Sequence, residues 1–387
     1  MPGTHDLRDL VEVSRFAGRD LLLVQGAGGN TSVKTDGGSR LLIKASGFRL
    51  DDVSESGGHL ELDLHGLRAI FEEPGLSALS PGAAHDETVR LLQTLISDAG
   101  APRPSMETGF HLLLERVVLH THPVYVNAFT CSEEGRAALD EAFDEPVAWI
   151  PYATPGYPLA TVVAAGCAEY TAERGHPPRR IVLENHGLIT TARSAAAAID
   201  DTRSLVRCGE RYFGALPDSA CDTGAPSRPA ALWAERLGRI FAEVGHAAVV
   251  RPACRNALLS AVRLPEPLTE GPLVPDDAVY GVHSCWHLDP AVSPEEWVDA
   301  RREELPAKAV LVLRGEGVLL VGPNARSLDF LEENLLANAL LHRLIGARGK
   351  ARYLESAAVG ELLALESEQY RQALARREPP GATGCRS

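Results

Sequence analysis

Apolar residues recur at helical spacing in some stretches of the chain and form short continuous runs in others. The first pattern is typical of helices that bury one face, and the second is typical of buried strands. Helices are predicted at about residues 7–24, 84–98, 159–174 and 194–214, and from about residue 104. Strands are predicted at residues 40–45, 117–122 and 180–184.

A change of composition divides this pattern. Residues 217–230 crowd Pro, Gly, Ser, Thr and Asp together, which indicates a linker. Because 387 residues are more than one hydrophobic core usually serves, we expect one domain at residues 1–216 and a second at residues 231–378. Residues 379–387 are rich in Pro and Gly and are predicted to be a disordered tail. No internal repeat is visible in the sequence.

The clearest unit of the second domain is a pair of strands followed by a helix. Apolar runs at residues 309–313 and 318–321 flank a glycine-containing turn at residues 314–317. Apolar residues then recur at helical spacing from about residue 327 to residue 344. The second domain is therefore also expected to mix helices and strands.

The charge of the chain narrows the class of partner. Its formal net charge is −14, and an acidic chain repels the phosphate backbone of nucleic acids. With 9 Phe, 8 Tyr and 4 Trp, the chain also has few aromatic side chains on which bases stack. We therefore expect no nucleic acid partner, and any anionic ligand must be held by a local site.

Cysteine usage and hydropathy indicate the compartment. The 7 scattered cysteines include no Cys-x-x-Cys pair, which fits reduced thiols rather than disulfides. The N-terminus lacks the basic start and apolar core of a secretory signal. The longest apolar runs, such as residues 189–199, are too short to span a bilayer. We expect a cytoplasmic protein with no membrane partner.

Three histidines are placed where their side chains can meet. His120 and His122 are separated by one residue on a predicted strand, so their rings project from the same face. His186 follows an apolar strand and precedes Gly187, which allows a sharp turn. Three neutral imidazoles suit Zn²⁺ and leave coordination positions open, as catalytic sites do. A His-x-His pair alone is more often incidental, so this prediction depends on the motifs around it.

A carboxylate precedes the histidine pair, at the start of a predicted helix. Ser105 is a good N-cap residue, which would place Glu107 in the first helical turn. A glutamate there either stabilises the helix end, by at most about 1 kcal/mol, or acts as a general base beside a substrate at the metal. The residues themselves leave both alternatives open.

A glycine-rich turn at residues 26–32 leads into a predicted hairpin. It fails the dinucleotide-binding pattern Gly-x-Gly-x-x-Gly, because the last glycine is missing and no helix follows. A phosphate-binding turn is the alternative that remains, with backbone amides and the Asn30 side chain as donors. The returning strand adds Lys44, Ser46 and Gly47. Each piece alone is more often an ordinary tight turn.

Together these motifs resemble the class II aldolase/adducin family, whose enzymes include zinc-dependent fuculose- and rhamnulose-phosphate aldolases. The motifs are Gly-Gly-Asn30-Thr-Ser, Lys-Ala-Ser46-Gly47, Pro-Ser105-Met-Glu107-Thr, His120-Thr-His122-Pro, Pro151-Tyr-Ala-Thr-Pro-Gly156 and Glu-Asn-His186-Gly-Leu. They follow the family's order over about residues 10–214, and residues 271–280 look like the second half of longer members. The resemblance implies a three-layer α/β/α fold, here with a second, smaller α/β domain. It also implies a homo-oligomer, usually a tetramer.

The resemblance assigns roles to individual residues. It places a metal on His120, His122 and His186, which would be Zn²⁺ or another divalent ion such as Mn²⁺ or Co²⁺, and it makes Glu107 the base. The positions that match the family's phosphate site are Gly29, Asn30, Ser46, Gly47, Ser105 and Met106. Met106 stands where the family has a second serine, so a carboxylate or a phosphonate is open as the bound anion.

The implied reaction makes or breaks a C–C bond between a ketose-type donor, similar to dihydroxyacetone phosphate, and an aldehyde. Glu107 would take a proton from the hydroxymethyl carbon of the donor, and Zn²⁺ would stabilise the enediolate as a Lewis acid. The expected partner is therefore a small phosphorylated, or otherwise anionic, ketose or aldehyde. The family's proton-donor tyrosine has no clear counterpart, and Tyr152 and Tyr157 are weak candidates.

Three other functions share parts of the pattern. A sugar-phosphate 4-epimerase shares the metal site but typically has Asp at the position of Glu107. A decarboxylase of an oxo-acid phosphate shares both the metal and the glutamate, so the sequence separates it poorly from an aldolase. An adducin-like binding protein without catalysis would lack the three histidines. The aldolase is therefore the preferred prediction.

Overall fold

The structure is a computed structural model that describes residues 4–35, 37–96, 101–259 and 270–365. Its helices are α1 (Thr4–Gly18), α2 (Leu64–Phe71), α3 (Pro81–Thr94), α4 (Thr108–Leu113), α5 (Val124–Thr130), α6 (Gly135–Ala142), α7 (Tyr157–Arg174), α8 (Ala195–Phe213), α9 (Arg228–Glu243), α10 (Asn256–Leu259), α11 (Pro275–Tyr280), α12 (Pro294–Asp299), α13 (Ala325–Gly346) and α14 (Ser356–Ala364). Its strands are β1 (Asn30–Lys34), β2 (Arg40–Lys44), β3 (His59–Asp63), β4 (Val117–Thr121), β5 (Ala148–Ile150), β6 (Arg180–Leu183), β7 (Gly187–Ala192), β8 (Val249–Pro252), β9 (Cys285–Leu288), β10 (Ala309–Leu313) and β11 (Gly317–Gly322). Within these ranges no helix combines the length and the apolar character that crossing a membrane requires.

The first seven strands form one sheet in the order β3-β2-β1-β4-β7-β6-β5. Neighbouring strands are antiparallel except β5 and β6, which are parallel. Along β4 the side chains alternate between the two faces: Val117 and Leu119 pack with α1 and α8, whereas Val118 packs with α4 and α7. Helices therefore cover both faces, which confirms the predicted three-layer α/β fold.

The last four strands form a second sheet in the order β8-β11-β10-β9. Its side chains alternate in the same way. Leu311 and Leu319 pack against α9 and α12, whereas Val310 and Leu320 pack against α13. The predicted second α/β region is thus present, and its sheet is also covered on both faces.

Part of the first sheet has the same topology as the second sheet. The orders β4-β7-β6-β5 and β8-β11-β10-β9 correspond, with two antiparallel pairs followed by one parallel pair. At the tight turns Leu183 pairs with Gly187, and Leu313 pairs with Gly317. A long helix, α8 or α13, follows each turn. The two regions therefore share a topology, although the sequence shows no internal repeat.

One hydrophobic core joins the two parts of the chain. Phe129 of α5 and Leu205 of α8 belong to the same buried cluster as Leu331 and Leu335 of α13. Helix α13 therefore packs on the first part of the chain as well as on its own sheet.

The segment predicted as a linker, residues 217–230, contains a short 3₁₀ helix at Asp218–Cys221. Helix α9 begins at Arg228, where the Ser227 side chain accepts the capping hydrogen bond. The position of the domain boundary stays a prediction. The predicted tail at residues 379–387 lies outside the described residues.

Two helices end or begin away from their predicted positions. Helix α1 ends at Gly18 rather than near residue 24, because the chain there packs closely on another segment: a Cβ at Gly18 would lie 2.2 Å from the backbone nitrogen of Asp51. The helix predicted at residues 84–98 begins earlier, at Pro81, whose fixed φ suits the first helical turn. It ends at Thr94.

Candidate metal centre

Two histidines project from one face at the end of β4. His120 is the fourth residue of this strand, and His122 follows it directly after the strand. Both side chains are buried, and their Nε2 atoms lie 3.2 Å apart. The two rings therefore aim at one point.

His186 reaches the same point from the turn between β6 and β7. Asn185 adopts the left-handed conformation in this turn, with φ of 49°, and its amide donates to two backbone carbonyls of the C-terminal region. At Gly187 a Cβ would lie 2.4 Å from the Thr121 carbonyl oxygen, so only glycine fits. The possible ligand nitrogens of the three histidines lie within 4.8 Å of one another.

A hydrogen bond on the far side of the His120 ring determines where its proton resides. His120 Nδ1 lies 3.0 Å from the Leu188 carbonyl oxygen, and because this oxygen only accepts, the neutral ring carries its proton on Nδ1. His122 Nδ1 lies 3.0 Å from Asp276 Oδ2, a close contact without hydrogen-bond geometry. The lone pair of His120 Nε2 then faces His122 Nε2 across 3.2 Å, and a cation between the two nitrogens would stabilise this approach. Tetrahedral Zn²⁺ would separate its nitrogen ligands by about 3.3 Å, so these residues fit a metal ion.

Burial favours the neutral form of His120. Desolvation lowers the pKa of this imidazole well below its usual value, and the neighbouring His122 and His186 lower it further. The hydrogen bond to the Leu188 carbonyl opposes this shift. Neutral imidazole is the form that binds metal ions.

Glu107 lies beside the histidines. Its Oε1 is 3.3 Å from His186 Nε2, and its Oε2 is 3.6 Å from His120 Nε2. The Asn30 side-chain amide donates to Oε2 at 2.7 Å. A carboxylate is thus held next to the point at which the three imidazoles converge.

The helix prediction around Glu107 is wrong at its start. Helix α4 begins at Thr108, and Ser105 is not its N-cap: its hydroxyl accepts from the Glu107 backbone N–H at 3.2 Å. The chain arrives in an extended conformation, because Ala45 and Pro104 form a β-bridge. Glu107 occupies the N-cap position, but its carboxylate makes no capping hydrogen bond. A capping hydrogen bond therefore does not explain this carboxylate.

A buried histidine that the sequence analysis missed fixes the Asn30 side chain. His111 Nε2 is hydrogen-bonded to Asn30 Oδ1, and its Nδ1 lies 2.7 Å from Ser32 Oγ. Burial lowers the pKa of His111 to about 3, so the ring is neutral. Its Nε2–H donates to the Asn30 oxygen, which turns the NH₂ group of the amide towards Glu107. The available sequence signal was its position four residues after Glu107.

A cavity of about 40 Å³ adjoins Glu107. The structure brings all the residues with predicted anion contacts to its wall: Gly29, Asn30, Ser46, Gly47, Ser105 and Met106. Lys44 also lines the cavity, but its ammonium group donates to the carbonyl oxygens of Ala27 and Gly29 at 3.0 Å each. This lysine therefore braces the glycine-rich turn.

The two tyrosine candidates for a proton donor are not among the described residues that line the cavity. Burial raises the pKa of Tyr152 to about 12. The Tyr157 ring stacks on Phe71, with 6.0 Å between the ring centroids. Their predicted role gains no support from these positions.

The C-terminal region contributes to the same cavity. Pro275 and Asp276, the first two residues of α11, line it beside His122 and His186. The sequence analysis did not identify Asp276 as a site residue. Its only signal was its place within residues 271–280, the segment that looks like the second half of longer family members.

Comparison with known proteins gives a family match over the first part of the chain. Residues 8–213, just over half of the chain, match the model of the Class II Aldolase and Adducin N-terminal domain. The chain is 29% identical over 216 residues to the uncharacterized oxidoreductase YuxG of Bacillus subtilis (strain 168), which covers 54% of this chain and 29% of that protein. It is 25% identical over 170 residues to the 3-oxo-tetronate 4-phosphate decarboxylase of Haemophilus influenzae, which covers 40% of this chain and 76% of that protein. The chain thus spans less than a third of the Bacillus relative.

Solved structures with a similar fold include a class II aldolase domain and two aldolases. The N-terminal class II aldolase domain of a conserved protein from Thermoplasma acidophilum has 28% identity and a TM-score of 0.46, covering 55% of this chain and 96% of that one. An L-fuculose 1-phosphate aldolase has 20% identity and a TM-score of 0.38, covering 56% and 93%. A sugar-phosphate aldolase from Thermotoga maritima has 17% identity and a TM-score of 0.39, covering 55% and 97%. All three TM-scores are below 0.5. The family assignment therefore rests on the match of residues 8–213 to the family model.

Proposed function

The chain belongs to the class II aldolase and adducin family, and we propose that it is a metal-dependent aldolase. It would make or break the C–C bond between a ketose-type donor and an aldehyde. The observation that carries this proposal is the position of Glu107, whose carboxylate oxygens lie 3.3 Å and 3.6 Å from the Nε2 atoms of two converging histidines.

His120, His122 and His186 would hold the metal, as Zn²⁺ or another divalent ion. A divalent ion there would act as a Lewis acid that lowers the cost of negative charge on substrate oxygens. The protein would contribute a dry, prearranged ligand set, because all three imidazoles are buried and His120 is fixed by a hydrogen bond through Nδ1.

Glu107 would move the proton. In the direction of bond formation its carboxylate takes a proton from the hydroxymethyl carbon of the donor. The electron pair of that C–H bond forms the new C–C bond to the aldehyde carbon, and the aldehyde oxygen takes up a proton. In the reverse direction the hydroxyl group gives up its proton as the C–C bond breaks to form the aldehyde, and Glu107 returns a proton to the carbon of the donor. The hydrogen bond from Asn30 holds Oε2 and so orients the carboxylate.

The anionic end of the substrate would lie in the cavity beside Glu107. The Asn30 side chain is engaged at both ends, by Glu107 and by His111, so it is a positioning group rather than the main anion contact. The hydroxyls of Ser46 and Ser105 and the backbone at Gly47 would hold the anion.

A second cavity, of about 20 Å³, adjoins the first. Ser46 and Met106 line both cavities, and the second is also lined by Val89, Leu92 and Arg103. It has room for about one water molecule, so the anion would lie in the first cavity. The decarboxylase relative from Haemophilus influenzae is named for a 3-oxo-tetronate 4-phosphate, and we propose a small phosphorylated or carboxylated sugar derivative for this chain.

The proposal is tested with metal-loaded protein and dihydroxyacetone phosphate in D₂O. We expect the hydroxymethyl C–H signal to disappear from the proton NMR spectrum without an aldehyde, and a condensation product to form when short aldehydes are added. If metal-replete protein exchanges no proton with this donor or with a set of phosphorylated, carboxylated and uncharged analogues, the aldolase assignment is wrong.

The match to a decarboxylase supports a second candidate. A decarboxylase would use the same histidines to stabilise charge on a 3-oxo group while the carboxylate of the substrate leaves as CO₂. Release of CO₂ from a phosphorylated 3-oxo acid, with no aldehyde consumed or formed, would favour this candidate over the aldolase.

A further inference from the structure

The C-terminal region reaches the metal centre through one carboxylate. Asp276 is 2% exposed, and its Oδ2 lies 3.0 Å from Nδ1 of His122. The Nε2 atom on the other edge of this ring points to His120. Asp276 therefore contacts the side of the imidazole that faces away from the convergence point, where it is a partner of a ligand and not a ligand itself.

Local packing fixes the position of Asp276. The neighbouring Asp277 accepts hydrogen bonds from the backbone N–H groups of Leu273 and Val274, and from the Asn338 side chain of α13. These bonds tie the start of α11 to the long helix behind it. Asp276 is thus presented by a rigid element.

The first part of the chain leaves room for this contact. A Cβ at Gly28 would lie 2.6 Å from Asp276 Oδ2 and 3.1 Å from His122 Nδ1. A larger residue at this position would therefore displace the carboxylate or the imidazole. One reason for the glycine at this position is therefore a contact with the C-terminal region.

We propose that Asp276 is a positioning residue for the metal, supplied by the C-terminal region of the same chain. Its Oδ2 lies 3.0 Å from Nδ1 of His122, so in the metal-bound protein the carboxylate would accept the Nδ1–H, which keeps the Nε2 lone pair available and fixes the ring orientation. Its negative charge also makes the imidazole a stronger donor to a cation. This inference rests on the metal site of the proposed function, and it assigns the C-terminal region a role in metal affinity.

A purely structural role for Asp276 makes a different prediction. As the second residue of α11, its carboxylate would favour the helix N-terminus, by at most about 1 kcal/mol. Its removal would then lower thermal stability and leave metal binding unchanged.

The test compares Asp276→Ala and Asp276→Asn with the full-length parent protein. Zn²⁺ dissociation constants are measured on the metal-free proteins by competition with a chromophoric chelator, and the d–d absorption of bound Co²⁺ reports the ligand geometry. We expect Asp276→Ala to bind Zn²⁺ about 10- to 100-fold more weakly and to change the Co²⁺ spectrum. Asp276→Asn should lie between Asp276→Ala and the parent, because its amide oxygen still accepts from Nδ1 but carries no charge.

Glu316→Gln is the matched control. It removes one negative charge from the C-terminal region, at a turn outside the metal centre, and should keep the parent affinity. Parent affinity and an unchanged Co²⁺ spectrum in Asp276→Asn and in any folded Asp276→Ala would overturn the proposal, even if the melting temperature falls. If Asp276→Ala does not fold, the nearly isosteric Asp276→Asn decides alone. A parent protein that binds Zn²⁺ but catalyses neither reaction overturns the proposed function and leaves this comparison intact.

Discussion

The two corresponding sheets of this chain carry very different residues at the same positions. In the turn after β6 the third residue is His186, whereas Glu316 takes that place after β10. His120 pairs with the third residue of β7, and Pro252 pairs with the third residue of β11. The first sheet therefore assembles three imidazoles, and the second has none at the equivalent places. The strand order is shared by both sheets, so it does not by itself create the site. The site depends on the polar residues at the strand ends.

Residues of the second region contact the site without lying in the first sheet. Helix α13 buries several polar side chains that reach towards the first part of the chain. Glu333 accepts from the Gly26 backbone N–H at 2.7 Å and forms a bidentate ion pair with Arg49. Asn338 holds the segment that presents Asp276. The second region thus has no histidine at these positions but supplies residues that contact the glycine-rich turn and one proposed metal ligand.

The largest effect should come from exchanging the equivalent turn residues. His186→Ala removes one of three ligands, so we expect Zn²⁺ affinity to fall by at least about 100-fold and turnover to disappear. Glu316→Ala, at the corresponding turn, should keep both within about twofold, because no residue of the site contacts it. Chelator competition and the exchange assay in D₂O measure both effects. Equal losses in the two variants would contradict the difference between the regions.

Replacing the proposed base should lower turnover but leave metal binding in the first region intact. Glu107→Gln keeps the size of the side chain but cannot accept the proton. We expect one bound metal ion per chain and a turnover lower by about 10²- to 10⁴-fold. Metal content and steady-state rates, measured on the same preparation, check this. Turnover equal to that of the parent protein would remove Glu107 from its proposed role.

Two adjacent glutamates of α13 test the contact between the regions, because one binds the first region and the other binds the second. Glu333 faces the glycine-rich turn of the first region, whereas Glu332 accepts from the backbone N–H groups of Cys254 and Arg255 in the second. Each Gln variant should lower the free energy of unfolding by about 1–3 kcal/mol, because a buried charge-assisted hydrogen bond is lost. Only Glu333→Gln should also raise KM. A similar rise in KM for Glu332→Gln would show that the effect is not specific to the turn.

The last effect concerns acid stability and comes from a buried histidine of the first region. The folded pKa of His111 is about 3, below its usual value of 6.5, so between these values the unfolded chain binds more protons. The free energy of unfolding should therefore fall as pH drops below about 6.5, by at most about 1.4 kcal/mol per pH unit from this group. His111→Gln should show a shallower slope in urea denaturation of the metal-free protein. An unchanged slope would mean that His111 is not buried as a neutral ring.

The sequence predicted those parts of the site that depend on local periodicity. A strand places His120 and His122 on one face, and the glycine after His186 marks a sharp turn, so local rules were sufficient. The start of α4 was predicted wrongly, because Ser105 is a good N-cap by type but is held by the extended chain before the helix.

Contacts between segments that are distant along the chain could not be predicted from the sequence. Asp276 is adjacent to His122 only because α11 packs beside the glycine-rich turn, and His111 is adjacent to Asn30 only because α4 packs over β1. Neither contact leaves a periodic pattern. The shared topology of the two sheets was missed for a related reason: apolar strands of different composition pair in the same way.

The central claim is that the chain holds one divalent metal ion among the three imidazoles of the first region. Crystals of the Zn²⁺-loaded protein, measured on both sides of the zinc absorption edge, test it directly through the anomalous difference map. The account predicts one strong peak within bonding distance of Nε2 of His120, His122 and His186, and none at the turn of Glu316. An empty convergence point in metal-loaded crystals, or a peak elsewhere in its place, would contradict it.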